Sequence, residues 1–283
     1  MKKLLFTAAG LLVLVGLLLL SLPTILHKAG LHPEYNGPTA ELPGKRALII
    51  TTSHGVLAAP GETEGPATGV MASEFTHPYY TFLDGGMEVD IASIAGGEIP
   101  IDPQTLQFMV RSPEDDRYLN DAIAQAKVKN SIPITDVAVD QYDIVFIAGG
   151  WGAAYDLAQS PVLAAKVSES YYGVKAAVIG GVCHGVLGLV NARDRDGKLL
   201  IAGRRMTGVT DKQIKELGIE LTPLHPEAEL RKAGVVFESQ TAFRDIFATH
   251  VTIDEEQRFV TGQNQNSGLE TAHNMMLVLS ERD

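Results

Sequence analysis

The hydrophobic pattern divides the chain into one long apolar run and a series of shorter ones. The long run, residues 4–26, is uncharged and follows Met1-Lys2-Lys3. The shorter runs alternate in kind. Residues 46–52, RALIITT, are apolar and β-branched and predict a buried strand. Residues 69–83 place Val70, Met71, Phe75, Tyr79, Phe82 and Leu83 at helical spacing. Pro78 within that stretch predicts a kink or a restart near His77. Residues 87–93, MEVDIAS, alternate as a second strand, and 142–148, YDIVFIA, read as a central one. A short strand follows from Ala176 to Ile179, and 258–262, RFVTG, is the last. Helices are expected over 161–172, where Pro161 suits a first turn, and over 267–280. Strand, loop, helix and strand in this order predict an α/β domain with a parallel central sheet.

The remaining segments are less regular. Residues 96–135 read as an insertion or cap with a helix from Asp115. Residues 198–203 and 205–209 predict short strands, Thr210-Asp211 caps a helix to Leu217, and 226–233 is a short amphipathic helix. Residues 235–237 and 246–253 read as edge strands.

The long run sets the domain organisation. It matches the roughly 20 apolar residues that span a bilayer as a helix. Lys2 and Lys3 favour a cytoplasmic amino terminus, although His27-Lys28 weakens the asymmetry. The expected division is a transmembrane signal anchor, or a cleaved signal peptide, over 4–26. A Gly/Pro-rich linker over 27–45 and one α/β domain over 46–283 follow. Either fate of the first segment implies a membrane-attached or exported domain outside the cytoplasm.

Composition narrows the partners. A net charge of −11 over 283 residues argues against nucleic acid, which needs a basic face. The single cysteine, Cys183, forbids an intramolecular disulfide. It stands where the strand at 176–179 ends in Gly180-Gly181 and turns into a small-residue helix start at Gly185. That geometry holds a nucleophile at the carboxyl end of a sheet, and a helix amino terminus would lower its thiol pKa. A small buried apolar residue is the alternative reading. His184 is a candidate acid or base, or a helix-terminal histidine without a task. Glu74 and His77, on the helix of 69–83, are candidates only if that helix packs beside the thiol. Gly149-Gly150-Trp151-Gly152 at a strand end offers backbone N–H groups suited to an oxyanion. No ligand spacing among His54, His77 and His184 supports a metal.

Taken in order, ALIITTSHG, SEFTHPYYTFLDGGMEVDIAS, YDIVFIAGGWG, AAVIGGVCHG, RRMTGVTDKQ and RFVTGQNQNS resemble the ThiJ/PfpI superfamily of class I glutamine-amidotransferase-like proteins. E-x-x-H-P-Y-x-x-F with V-C-H-G is similar to the branch that contains glyoxalase III enzymes and heat-shock chaperones. The resemblance covers about 46 to the carboxyl-terminal helix. It implies a flavodoxin-like three-layer sandwich. It implies Cys183 as nucleophile, His184 as its partner, Glu74 as a proton carrier near the sulfur, and Gly150 and Gly152 as oxyanion donors. Two positions depart from the pattern. Trp151 stands where the branch commonly has histidine. The triad acid would align at Ile214, leaving Asp211 as third member, although Asp211 also reads as part of a helix cap.

The implied function is a cofactor-free conversion of 2-oxoaldehydes such as methylglyoxal to 2-hydroxy acids, the D-lactate dehydratase type. Neither a cofactor nor a metal is implied. The expected partners are a small aldehyde, the membrane through residues 4–26, and a second copy of the chain by analogy with family dimers. A cysteine amidase would use the same residues, and a stress chaperone or thiol sensor would use the cysteine alone.

Overall fold

The computed structural model describes residues 2–282, with side chains from residue 13. In chain order the regular elements begin with α1 (Lys2–Lys28), β1 (Arg46–Thr51), α2 (Ala72–Asp84) and β2 (Glu88–Ser93). Then come α3 (Pro113–Tyr118), α4 (Ala122–Lys129), β3 (Ile132–Pro133), β4 (Ile144–Ile147), α5 (Ala153–Asp156) and α6 (Pro161–Tyr172). The remainder is β5 (Val178–Val182), β6 (Arg205–Met206), α7 (Asp211–Leu217), α8 (Pro226–Lys232), β7 (Val236–Phe237), β8 (Val251–Ile253), β9 (Phe259–Gly262) and α9 (Gly268–Ser280).

Seven strands form one sheet in the order β3-β2-β1-β4-β5-β9-β8. All neighbours run parallel except the β8–β9 pair at one edge. Because β1, β4 and β5 are covered on both faces, they read as unbroken apolar runs rather than as alternation. One face packs Phe75, Tyr79 and Phe82 of α2 with Met275 and Met276 of α9 over Ile49 and Phe146. The other packs Leu163 and Val167 of α6 with Leu187 and Leu189 over Ile50 and Ile147. The expected α/β architecture with a mostly parallel sheet is therefore what the chain adopts.

Several details differ from the sequence expectations. Pro78 sits inside α2 without ending it. Its ring leaves one carbonyl of the preceding turn without a donor, but burial of nearly the whole helix holds the two halves in line. Residues 198–203 are turns, not a strand. β6 and β7 pair with each other in a separate small sheet. Only 251–253 of the expected strand at 246–253 is extended, since Asp245–Phe247 is a 3₁₀ turn.

The amino-terminal expectations change most. Among the described residues no helix is long and apolar enough to cross a membrane, so the expected span over 4–26 is not found. Its opening part, to residue 12, lies outside the described side chains. The last turn of α1 packs on the domain. Residues 27–45 are likewise no free linker. Leu31 and Leu42 are buried, Leu42 donates its N–H to the Gly85 carbonyl, and His27 and His32 bond to the Arg111 and Val110 carbonyls.

Candidate active site

The sulfur is placed by a strained turn. β5 runs into the sheet centre and stops at Val182, and Cys183 adopts φ +56°. A side chain other than glycine pays for that conformation, commonly about 1–3 kcal/mol, and such residues concentrate at functional sites. Cys183–Leu189 then forms 3₁₀ turns rather than the expected α-helix. A Cβ at Gly185 would meet the Ile147 carbonyl oxygen at 2.1 Å, so only glycine lets this turn lie almost on β4.

Glu74 reaches the sulfur from α2, one turn after Met71 donates its N–H to the Gly149 carbonyl. The carboxyl is fully buried. It lies against the Cys183 thiol and the Gly149 and Gly150 backbone, although neither oxygen closes a full hydrogen bond. Glycine is required at 149, because a Cβ there would sit 2.4 Å from Glu74 Oε2. Burial pushes the Glu74 carboxyl up to about 8, against the lowering pull of the thiol and the two N–H groups.

Burial also pushes the Cys183 thiol up, and a charged Glu74 pushes it further. The Gly150 and His184 backbone N–H groups pull the other way without prevailing. The lowered thiol pKa expected from a helix start is thus reversed: desolvation outweighs the backbone dipoles. The pair holds its first proton to about pH 8 and must lose it before a thiolate or a carboxylate exists.

His184 is fully buried, with Nδ1 3.5 Å from Cys183 Sγ. Burial, helped by His225, lowers its pKa to about 3, so the ring is neutral. Its Nε2 has no partner among the described residues, and the Trp151 ring packs edge-on at 5.1 Å.

The structure therefore brings Cys183, His184, Glu74, Gly150 and Trp151 together around one cavity of about 360 Å³. A larger hollow of about 660 Å³ beside Tyr80, Arg117 and His273 lies away from Cys183, the chain's only cysteine. Three expected residues are not brought to the sulfur. Gly152 donates its N–H to the Gly69 carbonyl at 3.1 Å, so that group is spent, and the second donor is the N–H of His184 itself. His77 lies one layer behind the wall, 3.4 Å from Glu114 and edge-on to His32. Asp211 is exposed at the start of α7, 3.9 Å from His225 Nδ1, while Thr210 caps that helix. Among the described residues no carboxylate bonds to His184 and no cluster of His, Cys, Asp and Glu could hold a metal ion. We expect Asp211→Asn to change kcat/KM by less than about twofold, whereas removing a residue that acts as a unit with the nucleophile costs orders of magnitude. A thousandfold loss would place Asp211 in the machinery.

Sequence reasoning missed the roof. Leu26 of α1, with Leu31 and His32 just after it, lines the cavity. Gly30 at φ +105° ends the helix, and the Leu31 N–H closes onto the Leu26 carbonyl. The only signal available was Leu31-His32 standing within a Gly/Pro-rich stretch.

An α/β sheet with a strained cysteine elbow, a buried glutamate and facing backbone donors defines a class, and the chain belongs to the DJ-1/PfpI family, whose model matches residues 66–245. Among characterised relatives it is similar to Glyoxalase 3 of Candida albicans, 27% identical over 225 residues covering 76% of this chain and 91% of that protein. It is also similar to the glutathione-independent glyoxalase HSP31 of Saccharomyces cerevisiae, 30% identical over 179 residues, 62% of this chain and 73% of that one. Among solved structures, Rapid Encystment Protein 24 kDa of Francisella tularensis superposes with a TM-score of 0.74 at 33% identity, covering 83% of this chain and 99% of that one. Glyoxalase III of Candida albicans superposes at 0.72 with 25% identity, covering 83% and 97%.

Proposed function

We propose that this protein is a glutathione-independent glyoxalase, converting 2-oxoaldehydes to 2-hydroxy acids through Cys183 without a cofactor. The observation that carries the reading is the Glu74–Cys183 pair. An isomerisation that moves a proton between adjacent carbons needs a carrier beside the nucleophile with a pKa near the working pH, and Glu74 at about 8 meets that need. The similarity to glyoxalases in sequence and structure supports it.

In this scheme Glu74 as carboxylate takes the thiol proton, and Sγ bonds to the aldehyde carbon. The N–H groups of Gly150 and His184 hold the developing oxyanion. Glu74 returns the proton to that oxygen, giving a hemithioacetal. Glu74 then removes the hydrogen on C1 as a proton, and the electron pair flows toward the neighbouring ketone to form an enediol. Reprotonation at C2 gives a thioester, so C1 is oxidised as C2 is reduced and no external redox partner enters. Water cleaves the thioester, releasing the 2-hydroxy acid and the thiol. In this scheme the neutral His184 ring, with Nδ1 3.5 Å from Sγ, stands beside the thioester.

A thiol sensor is less well supported, because the sulfur is buried and its pKa is raised rather than lowered. The test is consumption of methylglyoxal by the purified protein without glutathione, with the 2-hydroxy acid quantified. Stoichiometric lactate is the expected product. Aldehyde loss without lactate would sink the reading.

A further inference from the structure

We infer that the site takes 2-oxoaldehydes bearing an extended, uncharged apolar side chain, and that Leu31 is its specificity-determining contact. The inference rests on the glyoxalase reading for the reacting end of the substrate only.

Cys183, Glu74 and His184 share this cavity with residues that take no part in the chemistry. The apolar part of the wall comes from elements far apart in the chain: Leu26 of α1, Leu31 after it, Met71 before α2, Leu217 of α7, and Phe247. At about 360 Å³ the space lies within the range of roughly 300–1,000 Å³ typical of sites that enclose drug-sized ligands. Methylglyoxal leaves most of it unfilled.

Charge decides what fills the rest. Among the described residues no lysine or arginine lines the cavity, and the ionisable groups that do are Glu74, Asp102, Cys183, His32 and His184. Asp102 is already engaged by the Thr68 hydroxyl and the Gln104 N–H. His32 and His184 are buried as neutral rings. A phosphorylated or carboxylated aldehyde would enter with no cation to meet it and with acidic neighbours, an arrangement that rejects anions. A neutral alkyl chain meets apolar wall, neutral amides, the neutral His32 ring and an Asp102 whose carboxylate is already bonded.

Leu31 is held in place rather than free to swing away. It is 5% exposed. The residues on either side are pinned by one buried side chain: Asn266 accepts the His32 N–H at 2.8 Å and donates to the Gly30 carbonyl at 2.6 Å. A wall fixed in this way discriminates by contact, at about fourfold per methylene buried.

The test uses the purified full-length protein and two readouts. Trp151 is the only tryptophan and lines the cavity, so its fluorescence reports occupancy without chemistry. We expect 2-octanone to bind at least about tenfold more tightly than acetone, and Leu31→Asp to abolish that difference. Leu31→Ala, which preserves the turn, should reduce it and covers a failure of the aspartate variant to fold. In turnover, kcat/KM for 2-oxooctanal should exceed that for methylglyoxal at least about tenfold, with the Leu31 variants acting through KM. Equal affinity for the two ketones, or a Leu31 effect equal on both, overturns the inference. Ketone discrimination with neither aldehyde turned over leaves the apolar pocket standing and removes the glyoxalase reading instead.

Discussion

Cys183→Ala is expected to lower kcat on any 2-oxoaldehyde by on the order of 10⁴-fold or more, leaving the fold intact. The scale follows from the loss of a nucleophile that no other group replaces. Cys183 is the chain's only cysteine, and His184, at a pKa of about 3, is too weak a base to activate water in its place. Stability gives the same residue a second, opposite signature. At φ +56° a cysteine or alanine carries backbone strain that glycine does not. Cys183→Gly should therefore unfold at a higher denaturant concentration than Cys183→Ala, by about 1 kcal/mol after glycine's own entropy cost. Paired urea titrations and progress curves check both halves. Retained turnover in the alanine variant would refute the covalent scheme. A glycine variant less stable than alanine would show that the elbow carries no strain worth releasing.

How much of this was legible in the sequence depends on the range of the forces involved. β1, β4 and β5 were visible because strands buried on both faces must be apolar throughout, and the turn at Cys183 because glycines crowd beside it. Glu74 is instructive: its spacing on α2 made it an ordinary helix glutamate, and only the family resemblance aimed it at the sulfur. The rest depended on tertiary packing. Glycines at 149–152 showed that backbone N–H groups were available, but not that the one on Gly152 is taken by Gly69. The thiol pKa went the wrong way because a helix terminus is read locally, whereas desolvation sums over every element packed on the site. Residues 27–45 carry the composition of a linker, yet Gly30 and His32 are held by Asn266, His32 also by Val110, and Leu42 by Gly85, partners far away in sequence. Composition is silent on such contacts.

Glu74→Gln should separate the two roles of the buried carboxyl through pH. Its folded pKa of about 8 exceeds its unfolded value of 4.5, so the folded state binds the extra proton throughout that window. Stability must then fall as pH rises from 4.5 to 8, because the unfolded chain releases the proton first. At about 1.4 kcal/mol per pH unit the cost is bounded on the order of 5 kcal/mol. Glutamine is isosteric and cannot ionise. The variant should match the parent near pH 4 and exceed it by several kcal/mol at pH 9, measured by urea unfolding in a Cys183→Ala background to silence the thiol. A stability difference that is flat with pH would mean that the carboxyl ionises normally. Catalysis should move the other way. In the parent, kcat/KM should climb with unit slope toward pH 8 as the Glu74–Cys183 pair loses its first proton. The glutamine variant should lose that limb and about 10²–10⁴-fold in rate. One substitution that stabilises the protein at alkaline pH while disabling it would show that burial of Glu74 is maintained for proton transfer at a cost to the fold.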